Sequence, residues 1–211
     1  MTARKPRVLA VIPARGGSKG FPGKNVHPIC GLPLLAHALL YAQRCTCLTR
    51  TVVSTDSQEI AAVARKYKGE VLMRDPELAM DQTPIWPVLV DALKRAEATK
   101  GQSFDYIVLL EVTSPLRRLG ELEKALTTLE QKPNADGVIS VAPFHFRPQW
   151  NSFSVDGEGY LQYLFPEGAK VFQRQQVQPA FHHCGAFYAW RTSFMRKNSE
   201  GYQQGKNLAY Y

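Results

Sequence analysis

Residues 8–25 read VLAVIPARGGSKGFPGKN. Residues 8–12 are all apolar, and a run without polar alternation is typical of a strand that is buried on both faces of a parallel sheet. The run ends at Pro13, and the loop that follows is rich in glycines and cations: Gly16, Gly17, Gly20, Gly23, Arg15, Lys19 and Lys24. The stretch therefore predicts a buried strand that delivers its chain directly into a flexible, positively charged loop.

The pattern of an apolar strand followed by an amphipathic helix recurs along the chain. Strand-like runs cover residues 51–55, 70–73, 106–110 and 138–141, and apolar residues at helical spacing lie between them. Residues 185–190 return to the strand pattern. Strands that alternate with helices indicate crossover connections, so we predict an α/β fold: a Rossmann-like, mostly parallel sheet with helices on both faces.

The segment from about 143 to 183 has a different texture. It is crowded with prolines, aromatics and glycines and shows no sustained periodicity. We predict an excursion of short hairpins and loops inserted into a single domain that spans residues 1–211. Because aromatic side chains anchor interfaces, the insertion is a candidate dimerisation arm or substrate lid, with a plain surface insert as the alternative.

Composition narrows the class of protein. The chain has 211 residues, 45% of them hydrophobic and 21% charged, which excludes a disordered or fibrous chain. The net charge of +8 suits nucleic acid, anionic membrane or phosphorylated small molecules, and its sign alone does not choose among them. The four cysteines show no framework spacing, and neither a signal peptide nor an apolar stretch of roughly 20 residues is present, so we expect a cytoplasmic protein.

The basic loop is the best candidate for a binding site. Open α/β sheets bind ligands at the carboxyl edge of their strands, and glycines let backbone N–H groups turn toward an anion there. The letters fit neither a Walker A loop, because Asn25 follows Lys24, nor a G-x-G-x-x-G dinucleotide fingerprint. A nucleoside triphosphate is the predicted occupant, and a merely solvated basic loop is the alternative.

Several motifs in order resemble those of one enzyme family. They are RGGSKG with Pro22 and KN in the loop, VSTD at residues 53–56, RDPELAMD at 74–81, LLEVTSPLR at 109–117, QRQQ at 173–176, GAFY at 185–188 and GKNLAYY at 205–211. The chain resembles, over its whole length, the cytidylyltransferases that activate sialic acid and related nonulosonic acids as CMP-sugars. The resemblance implies CTP and an acidic sugar as substrates, a requirement for Mg²⁺, a homodimer, and no nucleic acid or membrane partner.

The resemblance also implies roles for individual residues. Arg15, Lys19 and Arg174 are the predicted catalytic residues, which stabilise developing charge. The predicted nucleotide-binding residues are Arg15, Gly17, Ser18, Lys24, Asn25, Arg74, Asp81 and Thr83, and the last two are predicted to shape the pocket of the nucleotide base. The predicted acceptor-binding residues are Glu111, Thr113, Ser114 and Arg174, the last reaching across the dimer to the sugar carboxylate or the phosphates. Without the surrounding motif, Arg74 and Arg174 would read as solvated surface charges.

The sequence departs from the family pattern in three places. Glu111 stands where the family usually has glutamine, Cys184 where it usually has asparagine, and Trp150 falls near a basic sugar-binding position. A carboxylate at residue 111 repels a carboxylated sugar unless a cation lies between them, so it could instead bind Mg²⁺ or a different acceptor, or stay protonated through burial. These departures concern the acceptor more than the nucleotide.

Another departure concerns the metal. Family members continue beyond the position of Tyr211 into an acidic D-x-D segment that binds the catalytic metal, and we expect that segment to be absent here. No metal ligand is therefore predicted, and His182, His183 and Cys184 are not counted because adjacent side chains of an extended segment point to opposite faces. A naturally short, inactive protein and part of a longer enzyme are both left open.

The main hypothesis is a CMP-nonulosonate synthetase. A nucleotidyltransferase for another sugar and a catalytically inactive CTP-binding relative are the alternatives. A nucleic-acid binder ranks last, because the cations are scattered and no recognition motif is present.

Overall fold

The computed structural model describes residues 4–211, apart from the side chains of Lys100 and Arg174. The strands in that range are β1 (Val8–Pro13), β2 (Pro28–Ile29), β3 (Leu32–Pro33), β4 (Arg50–Thr55), β5 (Glu70–Met73), β6 (Tyr106–Leu109), β7 (Gly137–Pro143), β8 (Phe153–Val155), β9 (Leu161–Tyr163), β10 (Phe181–Arg191) and β11 (Asn207–Tyr210). The helices are α1 (Leu34–Arg44), α2 (Gln58–Lys66), α3 (Ile85–Lys100), α4 (Glu121–Glu130), α5 (Pro148–Asn151) and α6 (Thr192–Lys197). None of these helices combines the length and the apolar character that a bilayer crossing requires.

The main sheet has seven strands in the order β11-β7-β10-β6-β1-β4-β5. β1 lies at its centre and pairs in parallel with β4 on one side and β6 on the other. β5 continues the sheet in parallel beyond β4, and β11 runs parallel to β7. β10 is antiparallel to β6. The predicted α/β fold with a mostly parallel sheet is confirmed.

Burial of β1 on both faces determines how the helices are arranged. Its residues 8–12 are almost fully buried. Alternate residues of a strand face opposite sides of a sheet, and Val8, Ala10 and Ile12 share a core cluster with side chains of α1 and α4. α3 packs against β1, β4 and β6, which leaves the face of Leu9 and Val11 for that helix. Two covered faces explain the uninterrupted apolar run that the sequence shows.

Two buried tryptophan side chains pack against the sheet next to β7. The rings of Trp86 on α3 and Trp190 on β10 meet edge to face, with their centroids 5.3 Å apart. The indole N–H of Trp190 donates a hydrogen bond to Asn207 Oδ1 over 3.0 Å, which ties β10 to β11. Gly137, the first residue of β7, leaves the space that these two side chains occupy.

Residues 141–184, with Tyr211, form a compact unit of their own, separate from the unit of residues 4–140 and 185–210. The smaller unit contains the antiparallel hairpin of β8 and β9, in which Phe153 pairs with Tyr163. Large apolar side chains are exposed on it: Phe146, Phe153, Val155, Tyr160, Leu161, Tyr163, Leu164, Phe172 and Phe181. An exposed group of this size is typical of an interaction surface rather than of a free monomer surface.

We predict that Gly137→Ala destabilises the fold by about 1–3 kcal/mol, because core positions do not tolerate an added methyl group without shifts of their neighbours. A Cβ at this position would lie 2.6 Å from Asn207 Oδ1 and 2.8 Å from the Ala189 carbonyl oxygen. Urea denaturation measures the loss. Gly157→Ala is the matched control, since a Cβ there meets nothing within 4 Å; equal stability of the two variants would contradict the prediction.

Candidate active site

The basic loop after β1 is fixed by hydrogen bonds to its own chain and to the end of β4. The Gly16 N–H donates to Asp56 Oδ1 over 2.9 Å. The amide of Asn25 donates to the Arg15 carbonyl oxygen over 2.9 Å, and Asn25 is buried. These contacts join the beginning and the end of the loop and hold it at the carboxyl edge of the sheet.

A cleft of about 490 Å³ opens beside this loop. Seven of the predicted site residues line it: Arg15, Ser18, Lys19, Lys24, Asn25, Glu111 and Thr113. Phe21 and Ile85 line it as well, although the sequence analysis assigned them no role. The structure thus brings residues of the predicted nucleotide half and of the predicted acceptor half into one cleft.

A larger hollow of about 620 Å³ lies at the other end of the sheet, around Arg4, Asp105 and Arg191. It adjoins the amino ends of β1 and β6, whereas ligands of open α/β sheets bind outside the carboxyl ends. Asp105 there is already engaged by Arg4 over 2.9 Å and by the backbone N–H of Arg7 over 2.7 Å. The smaller cleft is therefore the candidate active site.

Arg15 and Lys19, the two loop cations that are predicted to be catalytic, share one carboxylate. Arg15 Nη1 lies 2.6 Å from Asp81 Oδ1, and Lys19 Nζ lies 2.5 Å from Asp81 Oδ2. The hydrogen bond from Lys19, followed by that from Arg15, lowers the pKa of Asp81 below its usual value. Asp81 is thus an ionised partner of the loop cations, and its predicted role in a base pocket stays a prediction.

Arg74 is buried and holds the segment that carries Asp81. Its Nε donates to Ser54 Oγ over 3.1 Å, and its Nη2 donates to the Ser54 carbonyl oxygen over 2.8 Å. Burial lowers the pKa of Arg74 from its usual value. Thr83 acts on the same segment, since its hydroxyl donates to the Glu77 carbonyl oxygen over 2.9 Å. Contact of Arg74 or Thr83 with a nucleotide stays a prediction, as it does for Gly17.

On the acceptor side, Glu111 and Ser114 converge over Gly185. Gly185 has a φ of +71°, a conformation that favours glycine. A Cβ built on it would lie 2.7 Å from Glu111 Oε2 and 2.8 Å from Ser114 Oγ. The absence of a side chain at Gly185 therefore leaves the space that the Glu111 carboxylate occupies. Gly185 was not among the site residues predicted from the sequence. The available signal was a glycine inside a strand, which often marks a close approach of another group to the backbone.

The described residues include carboxylates, the ligands that Mg²⁺ takes singly or in pairs beside substrate phosphates. No group of three or more His, Cys, Asp or Glu side chains among them is placed to hold a metal ion. Asp81 is engaged by two cations, which leaves Glu111 as a lone carboxylate in the cleft lining. Arg174 lies in the smaller unit, and its side chain falls outside the described residues.

Comparison with known proteins identifies the family. A family model described as cytidylyltransferase matches residues 9–204. The CMP-N,N'-diacetyllegionaminic acid synthase of Legionella pneumophila is 38% identical over 94% of this chain and 84% of its own length. The post-translational flagellin modification protein B of Campylobacter coli is 33% identical over 97% of this chain and 85% of its own.

Solved structures share the fold. The structure of CMP:2-keto-3-deoxy-manno-octonic acid synthetase complexed with CTP has a TM-score of 0.68 at 19% identity and covers 94% of this chain and 81% of its own. A 4-diphosphocytidyl-2C-methyl-D-erythritol synthase has a TM-score of 0.64 at 12% identity, covering 98% and 89%. The chain belongs to the cytidylyltransferase family and is a nucleotidyltransferase, so the predicted family and enzyme class are confirmed.

We predict that Asp81→Asn strengthens the binding of inorganic tripolyphosphate several-fold, because the neutral amide no longer neutralises Arg15 and Lys19. Tripolyphosphate carries no base, so calorimetry with it isolates the phosphate contacts. Asp75→Asn is the control, since that exposed carboxylate lies on the same segment but is paired with neither cation in the described structure. Unchanged or weaker binding by Asp81→Asn would count against competition between this carboxylate and the ligand.

Proposed function

We propose that this cytidylyltransferase transfers CMP from CTP to the anomeric hydroxyl of a nonulosonic acid and releases pyrophosphate. The observation that carries the proposal is the single cleft that joins Arg15, Lys19 and Lys24 to Glu111 and Thr113. A relative is named for CMP-N,N'-diacetyllegionaminic acid, and others are N-acylneuraminate and pseudaminic acid cytidylyltransferases at 30–31% identity. The shared acceptor class of these names supports a nonulosonic acid.

In this reaction the acceptor oxygen bonds to the α-phosphorus of CTP while the bond from that phosphorus to the bridging oxygen breaks. Pyrophosphate leaves with the electron pair, and the hydroxyl proton of the acceptor passes to solvent water. Negative charge grows on the phosphoryl oxygens, so fixed cations and N–H donors lower the barrier most. Arg15, Lys19 and Lys24 supply the cations, and the backbone N–H of Gly17 supplies a donor, whereas the N–H of Ser18 already donates to the Gly16 carbonyl oxygen over 3.0 Å.

On the acceptor side, Glu111 and Thr113 face the sugar. A carboxylate accepts hydrogen bonds from hydroxyl or amide N–H groups, so Glu111 suits the polyhydroxylated or N-acylated part of the acceptor rather than its carboxylate. The acceptor carboxylate then needs a cation, and Arg174 is the proposed donor of a bidentate contact to it or to the phosphates.

Pyrophosphate release is the measurement that tests the proposal. The chain is incubated with CTP, Mg²⁺ and a panel of N-acylneuraminic, deaminated sialic, legionaminic and pseudaminic acids, beside a calorimetric titration with CTP. Release with one acid names the acceptor, and omission of Mg²⁺ with added EDTA tests the divalent metal that the proposal includes. Binding of CTP without release from any acid would instead indicate an inactive relative, and failure of both would overturn the proposal.

We predict that Lys19→Ala lowers kcat by about 10²–10³, the usual loss when one stabilising group is removed from a transition state. Its side chain is 80% exposed and contacts Asp81, so the fold should persist. Stopped assays of pyrophosphate release measure the loss, and thermal denaturation checks the fold. Lys66→Ala, an exposed lysine in the last turn of α2, is the control. Equal turnover by the two variants would contradict the proposal that the loop after β1 stabilises the phosphates in the transition state.

We further propose that the enzyme is a homodimer in which the smaller unit contacts the second copy. Its exposed apolar side chains support this, with Leu161 68% and Phe172 81% exposed. Aromatic and aliphatic groups at this exposure are the residue types that form the buried centres of protein interfaces. A second copy of the chain is the occupant that the predicted dimerisation arm implies.

We predict that Leu161→Glu converts the dimer to a monomer, because it places a charge in an apolar interface. Sedimentation equilibrium measures the mass. Leu40→Glu on α1, also an exposed leucine, is the control and should keep the wild-type mass. A monomeric wild-type protein, or a dimer that survives Leu161→Glu, would refute this assignment.

A further inference from the structure

Arg117 makes two hydrogen bonds to backbone oxygens that belong to different parts of the candidate active site. Its Nη2 donates to the carbonyl oxygen of Glu111, and its Nε donates to the carbonyl oxygen of Ala186. Glu111 follows the end of β6, and Ala186 lies on β10. One guanidinium thus joins the backbone of the loop after β6 to the backbone of β10.

A buried ring supports the guanidinium from the side. The Arg117 Cζ atom lies 5.6 Å from the centroid of the Tyr41 ring on α1, which is the geometry of a cation–π contact. Burial raises the pKa of Tyr41, so the phenol stays neutral and presents its π-face to the cation. The planar, rigid fork of arginine suits this combination of a stacked face and two in-plane acceptors.

The two carbonyl contacts lie directly beside the Glu111 carboxylate. Ala186 follows Gly185, the residue over which Glu111 Oε2 and Ser114 Oγ converge. The Glu111 carbonyl oxygen also accepts the Ser114 N–H over 3.3 Å, which closes the turn that brings Ser114 back toward Glu111. Because Arg117 sets the separation of the Glu111 and Ala186 backbones, it also sets where the carboxylate points.

We infer that Arg117 is a positioning residue for the acceptor half of the site: it clamps the loop after β6 to β10 and so holds Glu111 and Ser114 in their binding geometry. Arg117 is not among the described residues that line the cleft, so the role inferred for it is to position its neighbours rather than to contact a substrate. The inference deepens the proposed function and rests on it for the identity of the acceptor. A misplacement of about 1 Å can cost about 10²-fold in rate, so such a clamp has a measurable effect.

Arg191 provides an unusually close control. Arg191 lies on β10, donates to the carbonyl oxygens of Ala135 over 2.9 Å and Leu129 over 2.6 Å, and has its Cζ atom 5.5 Å from the centroid of the Tyr106 ring. Its chemistry therefore matches that of Arg117, but it lies at the opposite end of the sheet, beside the hollow at the amino ends of β1 and β6. If the role of Arg117 were purely structural, substitution of either arginine would lower the thermal stability and leave the kinetics with the acceptor unchanged.

The experiment compares Arg117→Lys with Arg191→Lys. Lysine keeps the charge but cannot hold two carbonyl groups in a fixed fork. We expect Arg117→Lys to lose about 10- to 100-fold in kcat/KM for the sugar acid. The Kd for CTP in calorimetry should change by less than about twofold, since the loop cations are untouched. Arg191→Lys should lose thermal stability without changing the kcat/KM for the acceptor.

Hydrogen exchange gives a readout that does not need turnover. In Arg117→Lys the amides of residues 110–117 and 185–188 should exchange faster, whereas in Arg191→Lys the faster exchange should lie at residues 129–136. If the wild-type protein turns over no sugar acid, the proposed function fails while the exchange pattern still decides the inference. Wild-type exchange at residues 110–117 in Arg117→Lys, or equal acceptor kinetics in the two variants, would overturn it.

Discussion

Parallel pairing of β1 with β4 and β6 is the constraint on which the site depends. The register aligns Pro13 with Ser54 and Val11 with Leu109, so the three strands end at one edge. The loop that follows β1, the Asp56 that anchors it and the turn that begins at Glu111 are therefore neighbours in space. Residues about 40 and 100 positions apart along the chain come together because parallel strands deliver their carboxyl ends to the same side.

Local pattern was enough to predict the buried central strand, and it indicated the loop after this strand as a candidate site. The uninterrupted apolar run at residues 8–12 indicated a strand covered on both faces, and the glycines and cations after Pro13 indicated an anion site at its end. Both are properties of neighbouring residues, so a single sequence shows them. The prediction of CTP as the ligand of this loop required the linked motifs at residues 74–81 and 109–117. These motifs carry information about the family rather than about local physics.

Features that depend on distant pairing were not accessible from the sequence. The insertion of β10 between β6 and β7, antiparallel to β6, has no local signature because the letters of residues 185–190 fit either direction. The buried contacts of Arg74 to Ser54 and the close approach of Gly185 to Glu111 arise only when β4, β6 and β10 are in register. Asp81 was predicted to lie at the pocket of the nucleotide base. Its pairing with Arg15 and Lys19 was not predicted, because it depends on how the segment after β5 returns to the loop.

The carboxylate of Asp81 acts as a counterion that is built into the site. A tethered group has an effective concentration in the millimolar range, so an anion from solution competes with it for Arg15 and Lys19. Orthophosphate or sulfate gains only a few contacts by doing so. If the loop binds nucleotide as proposed, a triphosphate chain would reach Lys24 and the loop amides in the same event and gain several. The ion pair would then favour ligands with a longer phosphate chain, independently of the base that they carry.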